Sequence, residues 1–398
     1  MRNFSFLEDK MKLTKQIAER LGIQNSRWSP TGLTITFRME DLYNFKVAVT
    51  FEEAKRLREV KDRVKRQAKV WRVLEAERGP EWYAEPGLSC HSEINLVNLS
   101  VCIELKKLIR KGVPPDLRPS VWMEISGAAK KSSTVPSSYY ADLCSAIEGR
   151  ITPSTMQIDQ DLARTFPAHP WLDTPMGHAS LRRVLVAYSF RDSQVGYCQG
   201  MNYVAGLLLL VMKNEEAAFW MLAVLLENIL VKDCYNDDLT GCHVEQRVFK
   251  DLLKKHCPRL VMHLENIGFD ISLVITEWFL GLFSKSLPTE TVMRIWDILF
   301  NEGARVLFRI ALAIFKIQED VLLSKATLGA VLKTIQESTR TMYDPDELLK
   351  VAFSGFDGMN SHLLTNQRLK HHEDVMEELE NRIQKLNSLS SAKERAPQ

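Results

Sequence analysis

The sequence has no CxxC pair among its seven cysteines, no long apolar run and no large excess of either charge. The cysteines (Cys90, Cys102, Cys144, Cys198, Cys234, Cys242 and Cys257) are odd in number and scattered. That argues against a disulfide framework or a zinc knuckle and fits a reducing cytosol. With a formal net charge of +2, the whole-chain balance favours neither nucleic acid nor acidic membrane. The most apolar region, Tyr203 to Val231, is split by Lys213, Asn214, Glu215 and Glu216, and each half falls short of the ~20 residues a membrane span needs. Two buried helices joined by a polar turn are expected there, and any membrane association has to come through a partner. The opening MRNFSFLEDKMKLTKQ carries acids early and no uninterrupted apolar stretch, unlike a secretory signal. Self-contained catalytic motifs are also missing. No GxxxxGK followed by Ser or Thr, no GxGxxG after a strand, no HExxH and no GxSxG occurs. The nine histidines do not cluster with cysteines at ligand spacing, and His371-His372 on a charged helix reads as a solvated pair.

What is present is mostly helix. Thr34 to Phe37 alternates as a strand does, and Lys46 to Thr50 is its candidate partner. From Phe51 to Glu77 a charged helix follows, with Leu57, Val60, Val64, Trp71 and Leu74 at heptad-like spacing. Two readings stay open for it: a partner-binding or coiled-coil arm, or a solvated helix laid on the body of the protein. Gly79-Pro80 and Pro86-Gly87 suggest a boundary, so residues 1–90 form an unassigned N-terminal region. Helical periodicity then continues to about residue 350, as in Val248, Leu252, Leu253 and Leu307, Ile310, Ala311, Ile314. No β-runs at regular spacing and no fixed-period repeat occur there. The fold class is all-α, with residues 91–355 as one multi-helix domain and 356–398 as a charged C-terminal helix and disordered tail. Met376, Leu379, Ile383 and Leu386 give that last helix a stripe of only two heptads.

Three segments stand out. In Gly112 to Trp122 (GVPPDLRPSVW), prolines and Asp116 open a helix on which Arg118 and Trp122 share a face, a structural pattern. In Ile158 to Pro167 (IDQDLARTFP), Ile158, Asp161 and Arg164 recur at three, and Phe166-Pro167 ends the helix. Arg164 is thereby set at a helix end where Asp161 can hold its guanidinium. Taken alone, such a surface pair carries little meaning. In Val195 to Asn202 (VGYCQGMN), glycines flank Tyr197 and Gln199 just before an apolar helix. Glycine allows another backbone to approach closely, and a glutamine amide both donates and accepts hydrogen bonds.

In this order the segments resemble the signature blocks of the TBC domain of Rab GTPase-activating proteins: GVPPxLRxxxW, IxxDxxRTFP and GYxQGMN. A fourth stretch, Leu287 to Gly303 (LPTETVMRIWDILFNEG), resembles the family's later LPxExxLRIWDxLFxEG block. Met293 stands where that block usually has leucine, a mild core exchange. The resemblance covers about Gly112 to Gly303 and leaves both flanks unexplained.

The resemblance implies a GTPase activator without a self-contained active site, which lends two catalytic residues to a GTP-bound Rab and so regulates vesicle trafficking. Arg164 corresponds to an arginine finger beside the β and γ phosphates, and Gln199 to a glutamine that orients the attacking water. Asp161, Tyr197 and Ile158 are read as supports, and Arg118, Trp122, Trp296 and Asp297 as fold determinants. No cofactor or metal is expected in this chain, since GTP and magnesium belong to the partner. A cytoplasmic protein, peripheral on endomembranes through that partner, is expected. The alternatives are a Rab-binding adaptor with little catalysis and a scaffold using its flanking helices for self-association or adaptor binding. Nucleic-acid binding by Lys61, Arg63, Lys65, Arg66 and Lys69 is disfavoured, because Glu53, Glu59 and Asp62 dilute the charge.

Overall fold

The computed structural model describes residues 26–28, 35–84, 99–356 and 358–394. The expected boundary between residues 90 and 91 and the reading of the first sixteen residues lie outside the described residues.

A small antiparallel sheet opens the described chain: β1 (Ser26–Trp28), β2 (Ile35–Glu40) and β3 (Lys46–Val49), in the order β1-β2-β3. The expected pairing occurs, with Phe37 opposite Val49 and Glu40 opposite Lys46. Helix α1 (Phe51–Arg78) starts at a capping box in which Thr50 and Glu53 satisfy each other's backbone N–H groups. It lies on the body of the protein and is not a free arm. Ala54, Leu57, Val60 and Trp71 are buried, and the Trp71 indole donates to the Gly112 carbonyl at 3.0 Å. The heptad-like stripe is thus the docking face of an amphipathic helix.

Helices α2 (Leu99–Lys111), α3 (Arg118–Ile125), α4 (Ala128–Ser132) and α5 (Tyr139–Ala146) follow. Next come α6 (Pro153–Leu162), α7 (Pro175–Arg191), α8 (Met201–Met212) and α9 (Glu215–Val224), the last running into a π-turn over Leu225–Ile229. The expected polar turn separates α8 from α9: Lys213 takes a left-handed conformation, and the Asn214 side chain caps α9. The second half comprises α10 (Thr240–His256), α11 (Pro258–Asn266), α12 (Ser272–Leu280), α13 (Thr289–Glu302), α14 (Arg305–Ile317) and α15 (Glu319–Leu323). The chain closes with α16 (Leu328–Arg340), α17 (Pro345–Ser354) and α18 (Ser361–Glu394). No described helix is long and apolar enough to cross a membrane. The fold is all-α apart from the small sheet.

Two readings of the C-terminal helix change. It continues to Glu394, through residues 388–394 that the sequence suggested were tail. Its docking face against α10 shares with the expected stripe Leu379, which packs half-buried against the core, but not Met376. Leu364 and Val375 are buried, Arg368 pairs with Glu245 (2.6 and 2.9 Å), and His371 bonds Asp251 at 2.8 Å. Met376 is exposed, and His371 is a packed side chain where a solvated one was expected. Ion pairs share this face with Leu364, Val375 and Leu379, so the apolar stripe marks only part of it.

At the centre, every residue of α13 from Glu290 to Glu302 is buried, four charged side chains included. Each of these charges has a partner, as burial requires. Arg118, fully buried, is the largest node. Its Nε and Nη2 donate to Asp297 at 3.0 and 3.1 Å, and Nη1 and Nη2 donate to Glu290 at 2.9 and 3.0 Å. Nη1 also donates to the Tyr43 hydroxyl. Asp297 further accepts from the Trp122 indole at 2.8 Å and the Val113 amide at 3.0 Å. Trp122 and Arg118 thus share one carboxylate. Trp122 packs on Phe300 with centroids 4.8 Å apart, and the Trp296 indole donates to the Leu282 carbonyl at 3.0 Å. The four residues read as fold determinants sit in this one cluster, which ties α3 to α13 and both to the N-terminal hairpin.

Candidate functional site

Helix α6 begins with Pro153 at its first position, capped by Thr152, and is broken after Leu162. Arg164 lies in the turn beyond, where its amide still bonds the Asp161 carbonyl at 3.2 Å. Phe166 and Ala168 then take left-handed conformations at φ 51° and 66°, which steer the chain off the helix axis. For an aromatic residue such a φ is costly and persists only where packing enforces it. The enforcement is visible: the Phe166 ring packs edge-on against Tyr203 and Phe45, both at 5.2 Å, and lies over Gly206 of α8. A Cβ at Gly206 would sit 3.3 Å from that ring.

The Arg164 side chain is 51% exposed, and its guanidinium is ion-paired with Asp161, which is 1% exposed. The other Asp161 oxygen accepts from the Tyr197 hydroxyl at 2.7 Å. Burial, reinforced by that carboxylate, pushes the Tyr197 phenol up from its ordinary range, so it remains a donor at neutral pH. A buried carboxylate held from one side by a tyrosine thus grips one end of an arginine whose other end faces solvent. Such a grip lowers the entropy the arginine must lose on meeting a ligand.

Gln199 is exposed and lies in the turn just before α8. Gly200 after it takes φ 117° and passes so close to the Leu280 carbonyl that a Cβ would sit 3.1 Å away. The positive φ favours glycine there, and a side chain would also crowd that carbonyl. The turn is tied to the Arg164 segment a second time. The Gly200 amide donates to Asn202 Oδ1 at 3.1 Å, Asn202 Nδ2 donates to Thr165 Oγ1 at 2.7 Å, and that hydroxyl donates to the Asp161 carbonyl at 2.7 Å. Two buried hydrogen-bond routes, through Tyr197 and through Asn202, therefore fix the Gln199 turn against the end of α6.

The fold brings together Arg164, Asp161, Tyr197 and Gln199, and it buries Ile158 completely on the inner face of α6. Arg118, Trp122, Trp296 and Asp297 belong to the separate structural cluster. Sequence reasoning missed Thr165 and Asn202; the signal was an asparagine in the first turn of an otherwise apolar helix, where a buried amide needs partners. It also missed His169, whose Nδ1 accepts from the Trp171 and Leu172 amides (3.2 and 3.0 Å), so that Nε2 carries the proton and donates to the Tyr43 carbonyl at 2.9 Å.

A family model described as the Rab-GTPase-TBC domain matches residues 115–323, more than half of the chain. The chain belongs to this family. Its TBC domain is similar to mouse TBC1 domain family member 2A, at 37% identity over 288 residues that make up 71% of this chain and 31% of that protein. It is similar to the Growth hormone-regulated TBC protein 1 of Xenopus laevis, at 39% identity over 248 residues, 61% of this chain and 71% of that protein. Among solved structures it resembles the TBC domain of a Chlamydomonas flagellar RabGAP, with a TM-score of 0.67 and 39% identity, covering 79% of this chain and 98% of that one. The chain spans about a third of the length of the TBC1 domain family member 2A relative. The matched stretch contains the Arg164 and Gln199 segments and all of α13, whereas β2, β3 and α1 precede it.

One expectation arises from the grip on Arg164. Tyr197→Phe removes a single hydrogen bond to a buried carboxylate, worth about 1.5–3 kcal/mol. In urea melts followed by circular dichroism the variant should unfold at a lower midpoint than the parent with an unchanged m-value, the midpoint shift multiplied by m falling in that range. Equal midpoints would show that Tyr197 contributes nothing to holding Asp161.

Proposed function

We propose that this chain accelerates GTP hydrolysis by a Rab-type small GTPase, with Arg164 and Gln199 supplied in trans to the partner's active site. The observation that carries the reading is the half-exposed Arg164, gripped by buried Asp161 and Tyr197, with an exposed Gln199 on a turn bonded to the same helix end. Hydrolysis by the GTPase alone is slow because charge growing on the phosphate oxygens is poorly met. A planar, permanently charged guanidinium can bridge two of those oxygens, which an ammonium does less well. An amide can hold the attacking water through its carbonyl while donating through its nitrogen. Both roles need side chains already in place before the partner arrives, because stabilisation by preset groups needs no reorganisation during the reaction.

In this reading the nucleotide and magnesium come with the partner, and Asp161 and Tyr197 act only by positioning Arg164. Turning off a Rab makes the chain a regulator of vesicle traffic, drawn to endomembranes by the GTPase it meets. The test is single-turnover hydrolysis by a panel of GTP-loaded Rabs with the purified chain. Acceleration of some members, lost on removing either finger, supports the proposal. A folded chain that accelerates none of a broad panel contradicts it and leaves a binding role for the same surface.

A further inference from the structure

Beside Arg164 lies an open groove of about 430 Å³, within the size range of ligand sites. Its apolar floor is formed by Leu42, Phe45, Leu57, Val60, Leu287 and Tyr343. Much of one wall, from Asp41 to Lys61, comes from the hairpin and α1, which precede the matched family stretch, and Arg340 and Tyr343 follow it. The wall is firmly built. Asp41 accepts from the Tyr43 and Phe45 amides at 2.8 and 2.9 Å, Lys61 donates to the Glu40 carbonyl at 2.8 Å, and Tyr43 is bonded to Arg118 and His169. The aromatic contact of Phe45 with Phe166 makes it continuous with the turn that carries Arg164.

The charge around the groove is one-sided. Lys46, Lys61, Arg164, Lys285 and Arg340 line it against two acids, Asp41 and Glu290. Both acids are already engaged, Asp41 by backbone amides and Glu290 by Arg118. Lys46 and Arg340 are exposed and make no ion pair among the described residues. An apolar floor under a basic rim, continuous with a finger that must reach a bound nucleotide, fits one occupant: an apolar side chain flanked by acidic residues on the GTPase being acted upon.

We propose that this groove is a second recognition site for the GTPase, through which the N-terminal hairpin and α1 help select which GTPase Arg164 reaches. The inference rests on the activator reading above and names the part of that surface that discriminates. Lys46 and Arg340 act on partner affinity and not on the chemical step, because they line the groove at its rim and neither belongs to the Arg164–Asp161–Tyr197 grip.

The test uses the GTPase that the unaltered chain accelerates best. Single-turnover rates at rising chain concentration separate apparent affinity from maximal rate. The double variant Lys46→Glu, Arg340→Glu should weaken apparent affinity about tenfold, the scale of 1.4 kcal/mol, with a weaker salt dependence and the maximal rate kept. Lys65→Glu makes half that charge change on the solvent face of α1, where its side chain is 77% exposed, and should leave affinity within about twofold, the scale of a solvated surface pair. Single reversals at Lys46 or Arg340 should each exceed the Lys65 effect. An unchanged affinity in the double variant, a loss confined to maximal rate, or an equal loss at Lys65 would each overturn the groove assignment while leaving the finger reading intact. If the unaltered chain accelerates no GTPase, both fall together.

Discussion

Arg164→Ala is expected to lower the accelerated hydrolysis rate by about 10³–10⁵-fold, which corresponds to about 4–7 kcal/mol of barrier. The size follows from where the guanidinium acts. In the proposed role it meets charge that develops only in the transition state, so its loss should reduce maximal rate more than binding. Arg164→Lys should lose most of the rate as well, since a point charge cannot bridge two oxygens from the position Asp161 fixes. Arg164→Ala also leaves the buried Asp161 carboxylate without its cation, so a structural loss has to be told apart from a chemical one. The double variant Asp161→Asn, Arg164→Ala removes both charges; it should fold like the parent, still bind the GTP-loaded partner and remain inactive. An Arg164→Ala chain as active as the parent would remove the arginine from the mechanism.

The second large effect concerns the fold. Arg118→Ala is expected to destabilise the chain by about 3–5 kcal/mol, the cost of removing one partner from a buried ion pair. That is a large part of the ~5–15 kcal/mol that holds a typical domain together. Glu290 and Asp297 would both lose their cation inside the protein, and Tyr43 would lose its tether to the centre. Burial already pushes the Glu290 carboxyl above its ordinary range, with Arg118 holding it back. Without Arg118 the carboxyl moves further up. A group whose folded value is raised contributes most at pH below its unfolded value and loses that contribution as pH rises. The variant's deficit should therefore be smaller at mildly acidic than at mildly alkaline pH, as measured by denaturant melts at both. A deficit independent of pH would mean that Glu290 does not feel the loss.

These two arginines show what was legible in the sequence. Arg164, Asp161, Tyr197 and Gln199 stand in short segments whose spacing is set by a helix end and a glycine turn, so their roles can be expected locally. The contacts that make Arg118 central lie far away along the chain, in α13 and in the N-terminal hairpin. Trp122 and Asp297 were expected to matter for the fold, but not through one shared carboxylate. Tyr43 drew no attention, because nothing local marks a tyrosine in a hairpin turn as the anchor of a distant helix, and Glu290 stood in the fourth block without a role. The C-terminal helix was only partly legible for a related reason: Leu379 of its apolar stripe packs on the core and Met376 does not, while Arg368 and His371 add contacts that no apolar spacing shows. The question left open for α1 was settled by Trp71, whose indole finds its acceptor in the Gly112 to Trp122 segment.

In the proposed mechanism this chain supplies the water-orienting amide as well as the arginine, and a GTPase without its own glutamine isolates that contribution. A responsive Rab whose own catalytic glutamine has been replaced by alanine is loaded with GTP and mixed with the parent chain or with Gln199→Ala. The account predicts that the parent chain still accelerates this crippled GTPase and that Gln199→Ala does not. A parent chain that works only when the Rab keeps its own glutamine would contradict the account and leave Arg164 as the sole residue given in trans.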